Sequence, residues 1–539
     1  MVEHFHGKEG VSGSSPDEGF GEKDLGSIRS LTITAFALLL ASLAMAPGAA
    51  AKTRPVLLVG NNWDGTADVL DVPTYRRVRR INVVPDLAAR QFENLTPERA
   101  PFALFVRTQV GEGHDQMVDD LYASPDGRTL YVSRPSFNDV VAIALATGKI
   151  VWRQTLTGVR ADHMAISPDG RRLVVSTASS AGPSVVDVLD SVTGRIVGTF
   201  PSGDTPHENV YSRDGRRIFH ASIGRVYTAS DDPALDSSKG NRVFEIVDAR
   251  TLTVLKTYNM AEKLAQAGYP NMSAAVRPMA LSPDERTLYF QVSFFHGFVE
   301  FDLARERVTR VARLPLSAAT PARREDYVLD SAHHGIAMNG AGTKLCVAGT
   351  MSDYAAIVHR KDFAHRIHPL GARTYWSTTS EDGHFCYVSV AGDDTLAVFS
   401  YDSEKQVARV PVGDHPQRAR TANVSTAIFG PGNRLRPGAL SLRARRGRRG
   451  RVRLRGRFGL PATVAAETAC RGRVRIVLRR GRRRVAGTRV RLRAAGRSCS
   501  FARTVRLARG KPRRRLKARA RFAGNDLLLG RRSRAARVR

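Results

Sequence analysis

One short phrase recurs six times between Ser124 and Val388, and it constrains the fold of this chain more than any other feature. Its copies, the last two of them degraded, read SPDGRTLYV from Ser124, SPDGRRLVV from Ser167, SRDGRRIFH from Ser212, SPDERTLYF from Ser282, NGAGTKLCV from Asn339 and SEDGHFCYV from Ser380. The last turn residues of successive copies are 43, 45, 70, 57 and 41 residues apart. A tight turn before an alternating apolar run, repeated at such intervals, predicts a stacked all-β repeat architecture.

Each repeat is predicted to contain four short antiparallel strands. In the repeat that holds the first phrase, they are expected at Leu121–Ala123, Leu130–Ser133, Val140–Leu145 and Ile150–Thr155. These segments are rich in β-branched residues and are bounded by turn residues. The first repeat, residues 56–84, supplies only three strands, and residues 412–420 are expected to add the missing innermost strand. The repeats then number seven, and the closed ring has no exposed sheet edges.

Two of the phrases give the chain its resemblance to a known family. Tyr131-Val132-Ser133-Arg134 and Tyr387-Val388-Ser389-Val390 resemble the repeat phrase of the YVTN-type seven-bladed β-propeller family. The resemblance covers about residues 52–430 and implies an all-β fold, a seven-bladed β-propeller over residues 52–432. It implies little about activity, because propellers of this type include both binding proteins and enzymes.

Three insertions interrupt the predicted ring, at about residues 85–117, 225–242 and 260–276. Long excursions in an economical repeat protein often lie on one face and build or cover a site. Padding of the rim is the alternative interpretation.

Residues 433–539 differ sharply in composition from the rest of the chain. From Arg434 onward there are 38 basic residues, 36 of them Arg, and only two acidic ones, so this segment carries all of the net positive charge of +34. Apolar and Arg residues alternate in it with period two, which predicts strands with one buried face. We expect a small β-sandwich, and it resembles the Arg-rich Ig-like modules of secreted bacterial proteins.

Residues 1–51 are predicted to be an N-terminal extension and a signal peptide. The apolar run Leu31–Met45 follows Arg29 and is followed by the small residues Ala49, Ala50 and Ala51. Fifteen residues are too few to span a membrane, and these flanks are typical of a secretory signal; an uncleaved anchor is the alternative. We therefore expect a secreted or cell-envelope-associated protein.

The four cysteines fit export. Cys470 and Cys499 are expected to form a disulfide, because a small domain gains most from a cross-link in an oxidising compartment. Cys346 and Cys386 lie in adjacent repeats and can face each other. Because stacked sheets lie about 10 Å apart and a disulfide needs Cα atoms within about 7 Å, we expect these two to be buried free thiols.

The innermost strands carry an unusual column of polar residues. Eight positions before each turn residue stand Asp119, Asp162, His207, Arg277, His334 and Tyr375, and seven before stand Asp120, His163, Glu208, Pro278, Gly335 and Trp376. Innermost strands line the central channel of a propeller, so the first set is expected to converge on the axis. We predict that this set and Trp376 bind a ligand at one mouth of the channel.

Several residues at or next to these positions belong to types that ligate divalent zinc, iron or manganese. They are His163, His207, Glu208, His333 and His334. A metal-free ligand site, in which Arg277 binds an acidic group and Tyr375 stacks on a ring, remains open. A hydrated channel whose polar groups bond to one another is a third interpretation.

Two function classes follow, and a third, a quinone- or haem-linked oxidoreductase, lacks support because the sequence has no CxxCH haem-attachment motif. The first is an exported, non-catalytic propeller that binds an unknown small molecule or protein at its channel. The second is a metal-dependent hydrolase or lactonase that uses the His, Asp and Glu residues of the channel. No HExxH, GxSxG or P-loop motif stands in a context that indicates another enzyme class.

The cationic segment is open to three interpretations. It can bind an anionic cell-envelope polymer through summed electrostatic attraction. Specific nucleic acid recognition is not indicated, since no helix-turn-helix, zinc-finger or aromatic RNA-binding pattern is present. In the third interpretation the Arg residues form a solvated surface and reflect a GC-rich coding sequence.

Overall fold

The computed structural model describes residues 53–72, 74–179, 183–226, 238–429, 435–461, 466–507, 515–525 and 528–539. It is all-β, with 51% strand and 10% helix. The apolar run expected to direct export lies outside the described residues. No helix among the described residues is both long enough and apolar enough to cross a bilayer.

Between residues 53 and 425, the described residues form seven four-stranded antiparallel sheets. The strands of the first four are β1 (Thr53–Asn61), β2 (Thr66–Asp71), β3 (Arg76–Asn82), β4 (Leu121–Ala123), β5 (Thr129–Arg134), β6 (Asp139–Ala144), β7 (Ile150–Thr155), β8 (Arg160–Ile166), β9 (Arg172–Ala178), β10 (Val185–Asp190), β11 (Ile196–Pro201), β12 (Pro206–Tyr211), β13 (Arg217–Ser222), β14 (Phe244–Asp248) and β15 (Val254–Tyr258). The others are β16 (Val276–Leu281), β17 (Thr287–Val292), β18 (Gly297–Asp302), β19 (Arg307–Arg313), β20 (Gly335–Met338), β21 (Lys344–Gly349), β22 (Tyr354–His359), β23 (His365–Pro369), β24 (Thr374–Thr379), β25 (Phe385–Val390), β26 (Thr395–Ser400), β27 (Lys405–Pro411) and β28 (Pro416–Ser425).

Short helices lie in two of the predicted insertions. They are α1 (Leu87–Glu93), α2 (Ala100–Phe105) and α3 (Met260–Gln266), and a π-helical turn at Val106–Val110 continues α2. Within each of these sheets the strands are in chain order from the innermost to the outermost. In the first sheet β28 is added as the innermost strand, beside β1.

The recurring phrase forms the turn between the first and second strands of a sheet. In the first copy, Ser124 Oγ donates to Asp126 Oδ1 at 2.6 Å and accepts from the backbone N–H of Thr129 at 3.0 Å. Gly127 ends the turn with φ +68°, a backbone conformation that disfavours other residues. The same bonds recur at Ser167 and Ser212, so the phrase repeats because its side chains close the turn.

The sheets form a closed ring. Each innermost strand contacts the innermost strands of the two sheets beside it, in the cycle β4, β8, β12, β16, β20, β24, β28 and back to β4. The prediction that the chain after residue 412 supplies the missing strand is confirmed, because β28 pairs with β1 and sets Arg420 opposite Leu58. Apolar clusters fill the space between neighbouring sheets, as Leu58, Val69 and Val132 do between the first two. This is a β-propeller arrangement.

The prediction of free thiols at Cys346 and Cys386 is wrong, because the two form a disulfide with a Cα–Cα distance of 6.4 Å. They lie on β21 and β25, the second strands of neighbouring sheets. Sheets that radiate from one axis converge toward it, so their inner strands approach more closely than the roughly 10 Å of parallel stacked sheets. The disulfide therefore joins two neighbouring sheets across this narrow gap.

The C-terminal segment folds as two antiparallel sheets. Its strands are β29 (Ser441–Arg446), β30 (Arg451–Gly459), β31 (Arg473–Arg480), β32 (Arg483–Arg491), β33 (Arg493–Ala494), β34 (Ser498–Arg506), β35 (Lys517–Gly524), β36 (Leu529–Arg532) and β37 (Ala536–Arg537), with α4 (Ala466–Ala469) between β30 and β31. The strand orders are β29-β30-β34-β33 and β32-β31-β35-β36, and β37 pairs with β35. Leu454, Phe458 and Phe522 belong to a common apolar core, and Cys470 and Cys499 form the predicted disulfide.

The recurring turn also packs between sheets, and alanine substitutions test this. Gly170 and Gly148 have similar φ angles of +70° and +73°, but a Cβ atom at Gly170 would overlap the ring of Pro125, whereas nothing lies within 4 Å of one at Gly148. We expect Gly148→Ala to lower the free energy of unfolding by about 1 kcal/mol for the backbone alone. Gly170→Ala is expected to cost a further 1–3 kcal/mol or so for the overlap. Equal losses in urea titrations of the two variants would contradict the packing role.

Candidate functional site

The predicted polar column converges on one cavity at the axis of the ring. Its lining includes all six residues of the column, namely Asp119, Asp162, His207, Arg277, His334 and Tyr375. Gln417 of β28 adds the equivalent side chain from the first sheet. All seven side chains are buried, so residues hundreds of positions apart meet because each starts or precedes an innermost strand.

Three histidines form the centre of the site. His207 and His334 place their Nε2 atoms 3.3 Å apart, and the ring centroids of His163 and His207 are 3.8 Å apart. One nitrogen from each of the three lies within 4.8 Å of the others. Burial lowers the pKa of each imidazole well below its usual value, and neighbouring positive groups lower it further. All three are therefore neutral at pH 7, the form that ligates metals.

Two carboxylates adjoin the histidines. Asp119, Asp162 and His163 form a second group of ligand atoms within 4.8 Å of one another. Asp162 pairs with Arg160 at 2.9 Å, while Asp119 Oδ2 is buried without a hydrogen-bond partner among the described residues. Burial raises the pKa of Asp119 to about 7, although the Arg418 guanidinium opposes the shift. A nearby cation would stabilise the ionised form of a carboxylate in this position.

Glu208 orients one of the histidines. Its Oε2 lies 2.8 Å from His163 Nδ1, which turns the other ring nitrogen of His163 toward Asp162 Oδ1, at 3.7 Å. Burial raises the pKa of Glu208 to about 8. A carboxyl on the far nitrogen of a histidine is the usual outer partner of a metal-ligating imidazole. Glu208 thus lies behind the histidine cluster, and it also lines a second, more open pocket with Trp376 and Arg420.

Two other predicted site residues lie outside this cavity, and a third is bonded to protein groups. His333 is turned away from the cavity and bonds to Tyr354 Oη at 3.2 Å, with the His296 ring beside it. Trp376 lines the second pocket, and its indole donates to Thr378. Arg277 lines the cavity but donates to Ser293, Ser331 and the carbonyl of Leu329, which holds the loop before β20 in place.

Sequence reasoning missed the residues that β28 contributes. Arg418 is fully buried, donates to Asp119 Oδ1 at 2.9 Å and stacks on Trp376 with its guanidinium carbon 4.4 Å from the ring centroid. Arg420 donates to both carboxylate oxygens of Asp120, at 2.9 and 2.6 Å. The first repeat lacks the turn phrase, so counting back from a turn reaches neither residue. Aligning residues 412–420 with the other innermost strands would have placed Gln417 in the column.

The free space in the cavity is small. Measured as room for the centres of water molecules, it is about 30 Å³. A water needs roughly 10–15 Å³ by this measure, so the space holds an ion with one or two waters. Drug-sized ligands occupy pockets of roughly 300–1,000 Å³. The wall opposite the strands comes from the insertions and loops, through Val110, Gln116, Ile223, Val226 and Leu329.

No protein-family model matches the chain, and no curated protein matches it. Among solved structures, it is similar to Kuenenia stuttgartiensis hydrazine synthase, with a TM-score of 0.42, 17% identity and coverage of 57% of this chain and 95% of that one. It is also similar to the dihydro-heme d1 dehydrogenase NirN in complex with DHE, with a TM-score of 0.41, 13% identity and coverage of 69% of this chain and 76% of that one.

Proposed function

We propose that this protein is an exported seven-bladed β-propeller of the YVTN type that binds a divalent transition-metal ion in its central channel, followed by an Ig-like domain. The cycle of innermost strands supports seven blades, and two facing sheets with a disulfide support the Ig-like domain. Two disulfides are typical of proteins from oxidising, extracellular compartments, which supports export.

The arrangement of the three imidazoles carries the metal proposal. Two nitrogens bound to one zinc ion at about 2.0–2.1 Å in tetrahedral geometry stand roughly 3.3–3.4 Å apart. His207 and His334 have this separation, and His163 completes a three-histidine set. Neutral imidazoles suit zinc, iron, copper and nickel better than calcium or magnesium. The Asp119 carboxylate and the Glu208 contact supply the charge and the orientation that such a centre needs.

The size of the cavity favours an ion over an organic ligand. The polar groups surround space for an ion with one or two waters. The Arg277 guanidinium, which the sequence suggests as a binder of acidic groups, donates to protein partners. An organic molecule would enter only if the loop walls moved. The ligand that the channel fits is therefore a metal ion with its water.

Metal-assisted hydrolysis of an ester or lactone is a second candidate function, and it requires the loop walls of the cavity to move aside for the substrate. Asp119 lines the space beside the histidines, and its buried Oδ2 has no hydrogen-bond partner among the described residues. It is placed to take a proton from a water whose oxygen attacks a carbonyl carbon; the ester C–O bond then breaks and its oxygen takes up that proton. Hydrolysis of small lactones by the metal-loaded protein is the expected result, and Asp119→Asn, compared with the wild type at equal metal content, is expected to lose it.

Metal analysis of the purified full-length protein tests the main proposal. We expect about one zinc, iron or copper ion per chain by plasma mass spectrometry after loading and gel filtration. His207→Ala and His334→Ala each remove a direct ligand and are expected to lower the metal content at least tenfold. His365→Ala, on the exposed strand β23, is the matched control and should keep the ion.

A second measurement, made on the wild-type protein, tests the metal proposal even if the histidine variants fail to fold. X-ray absorption of the loaded wild-type protein should show about three imidazole ligands. A wild-type protein that takes up no transition metal, or one that binds it without imidazole, would overturn the proposal.

A further inference from the structure

The C-terminal domain carries a broad groove whose walls are arginine side chains from six strands. Its volume is about 1180 Å³, and the arginines that line it are Arg443, Arg455, Arg457, Arg473, Arg489, Arg491, Arg493 and Arg503. All of them are exposed. The groove crosses β29, β30, β34 and β33 of one sheet and continues onto β32 and β31 of the other.

Several of these arginines stand directly opposite one another on paired strands. Arg443 faces Arg455 across β29 and β30, and Arg473 faces Arg491 across β31 and β32. Like charges in directly opposed positions destabilise a sheet. From residue 434 to the end, the sequence holds only two acidic residues against 38 basic ones, so this repulsion is not offset within the domain. An external polyanion would offset it.

The charges of the groove are regularly spaced. Alternate residues on a strand lie about 6.6–6.8 Å apart and neighbouring strands about 4.8 Å apart. Arg455 and Arg457 are such an alternate pair, as are Arg489 and Arg491, so the groove presents a lattice of guanidinium groups. Each planar guanidinium can donate two parallel hydrogen bonds to a phosphate, which a lysine cannot do. All the cations of the groove are arginines.

The absence of exposed aromatic rings narrows the choice of polymer. Single-stranded nucleic acids are bound by aromatic side chains on which the bases stack, and aromatic faces also bind sugar rings. In the described part of the C-terminal segment the aromatic residues are Phe458, Phe501 and Phe522, and all three are buried; Phe501 lies beneath the groove and is only 3% exposed. The groove therefore suits phosphates joined by an acyclic linker.

We propose that this groove binds a phosphodiester polymer whose phosphates are linked by acyclic polyols, and so attaches the protein to an anionic cell-envelope polymer. The binding rests on phosphate recognition by paired arginines. It is independent of the metal ion in the channel, so failure of either proposal leaves the other in place.

Binding of synthetic poly(glycerol phosphate) to the full-length protein tests this proposal. The groove variant replaces Arg455, Arg489 and Arg491 with Gln, and the matched control replaces Arg453, Arg479 and Arg519, which are exposed but do not line the groove. Both lose three charges. We expect the groove variant to bind at least tenfold more weakly and the control less than threefold more weakly. In the groove variant, the loss of three phosphate contacts should also make the plot of log binding constant against log salt concentration less steep, by about 2 in slope.

Three results would overturn the proposal. Equal losses in the two variants would show a diffuse charge effect without a groove. Tighter binding of single-stranded DNA or of polygalacturonate than of poly(glycerol phosphate), measured at the same ionic strength, would assign the groove to another polymer. No measurable binding at 50 mM salt would leave the arginines as a solvated surface.

Discussion

Replacing Arg418 with methionine is expected to lower the free energy of unfolding by about 3–5 kcal/mol, the usual cost of removing one partner from a buried ion pair. The Arg418 side chain is fully buried, lies 2.9 Å from Asp119 Oδ1, and adds its charge to that of Arg420 near Asp120. Methionine keeps much of the contact with Trp376 but leaves Asp119 as a buried carboxyl that has lost its cation. Urea unfolding followed by tryptophan fluorescence measures the loss.

Two further variants separate the charge effect from simple packing. In Arg418→Met/Asp119→Asn the uncompensated charge is gone, and we expect much of the lost stability to return. Arg409→Met breaks a half-exposed ion pair with Asp393, at 2.7 Å, and should cost no more than about 1 kcal/mol. If the double variant were as unstable as Arg418→Met, the effect would come from lost packing and the ion pair would contribute little.

Removing the disulfide between the sheets is expected to cost about 4 kcal/mol. The two cysteines are 40 residues apart in the sequence, and a chain-entropy argument gives this magnitude for a closed loop of about that length. Cys346→Ala/Cys386→Ala should therefore unfold at a clearly lower urea concentration. All three tryptophans, Trp63, Trp152 and Trp376, lie in the propeller, so their fluorescence reports its unfolding.

The other disulfide supplies the matched control. Cys470→Ala/Cys499→Ala removes a cross-link of similar length from the C-terminal domain and should leave the tryptophan transition unchanged. A reduced wild-type protein should behave as both double variants combined. An unchanged tryptophan transition in Cys346→Ala/Cys386→Ala would mean that the blade-to-blade packing alone holds these two sheets together.

Much of the propeller could be predicted because its signals are local. The Ser and Asp side chains of the phrase accept hydrogen bonds from backbone N–H groups within five residues, as Ser124 and Asp126 do, so each turn is visible wherever its sequence occurs. The polar column followed from the turn by counting, which is why Asp162 and His207 were found. The ring closure followed from a missing strand in the first repeat.

The residues that were missed or misplaced depend on contacts between distant segments. Arg418 has no turn phrase in its own sheet, and Trp376 was expected in the cavity although it lies beside the second pocket. His333 and His334 are adjacent in sequence, yet only His334 joins the cluster. The roughly 10 Å spacing of parallel stacked sheets does not apply to Cys346 and Cys386, because their sheets converge on an axis.

The sequence by itself determined the repeated β architecture, the polar character of the innermost strands and the cationic character of the C-terminal segment, because each depends on local patterns of side chains. Only the tertiary structure decided which histidines meet, which carboxylates adjoin them, which cysteines pair and how little space the cavity leaves. Those properties depend on distances of a few ångströms between strands hundreds of residues apart, and such distances arise only when the ring closes.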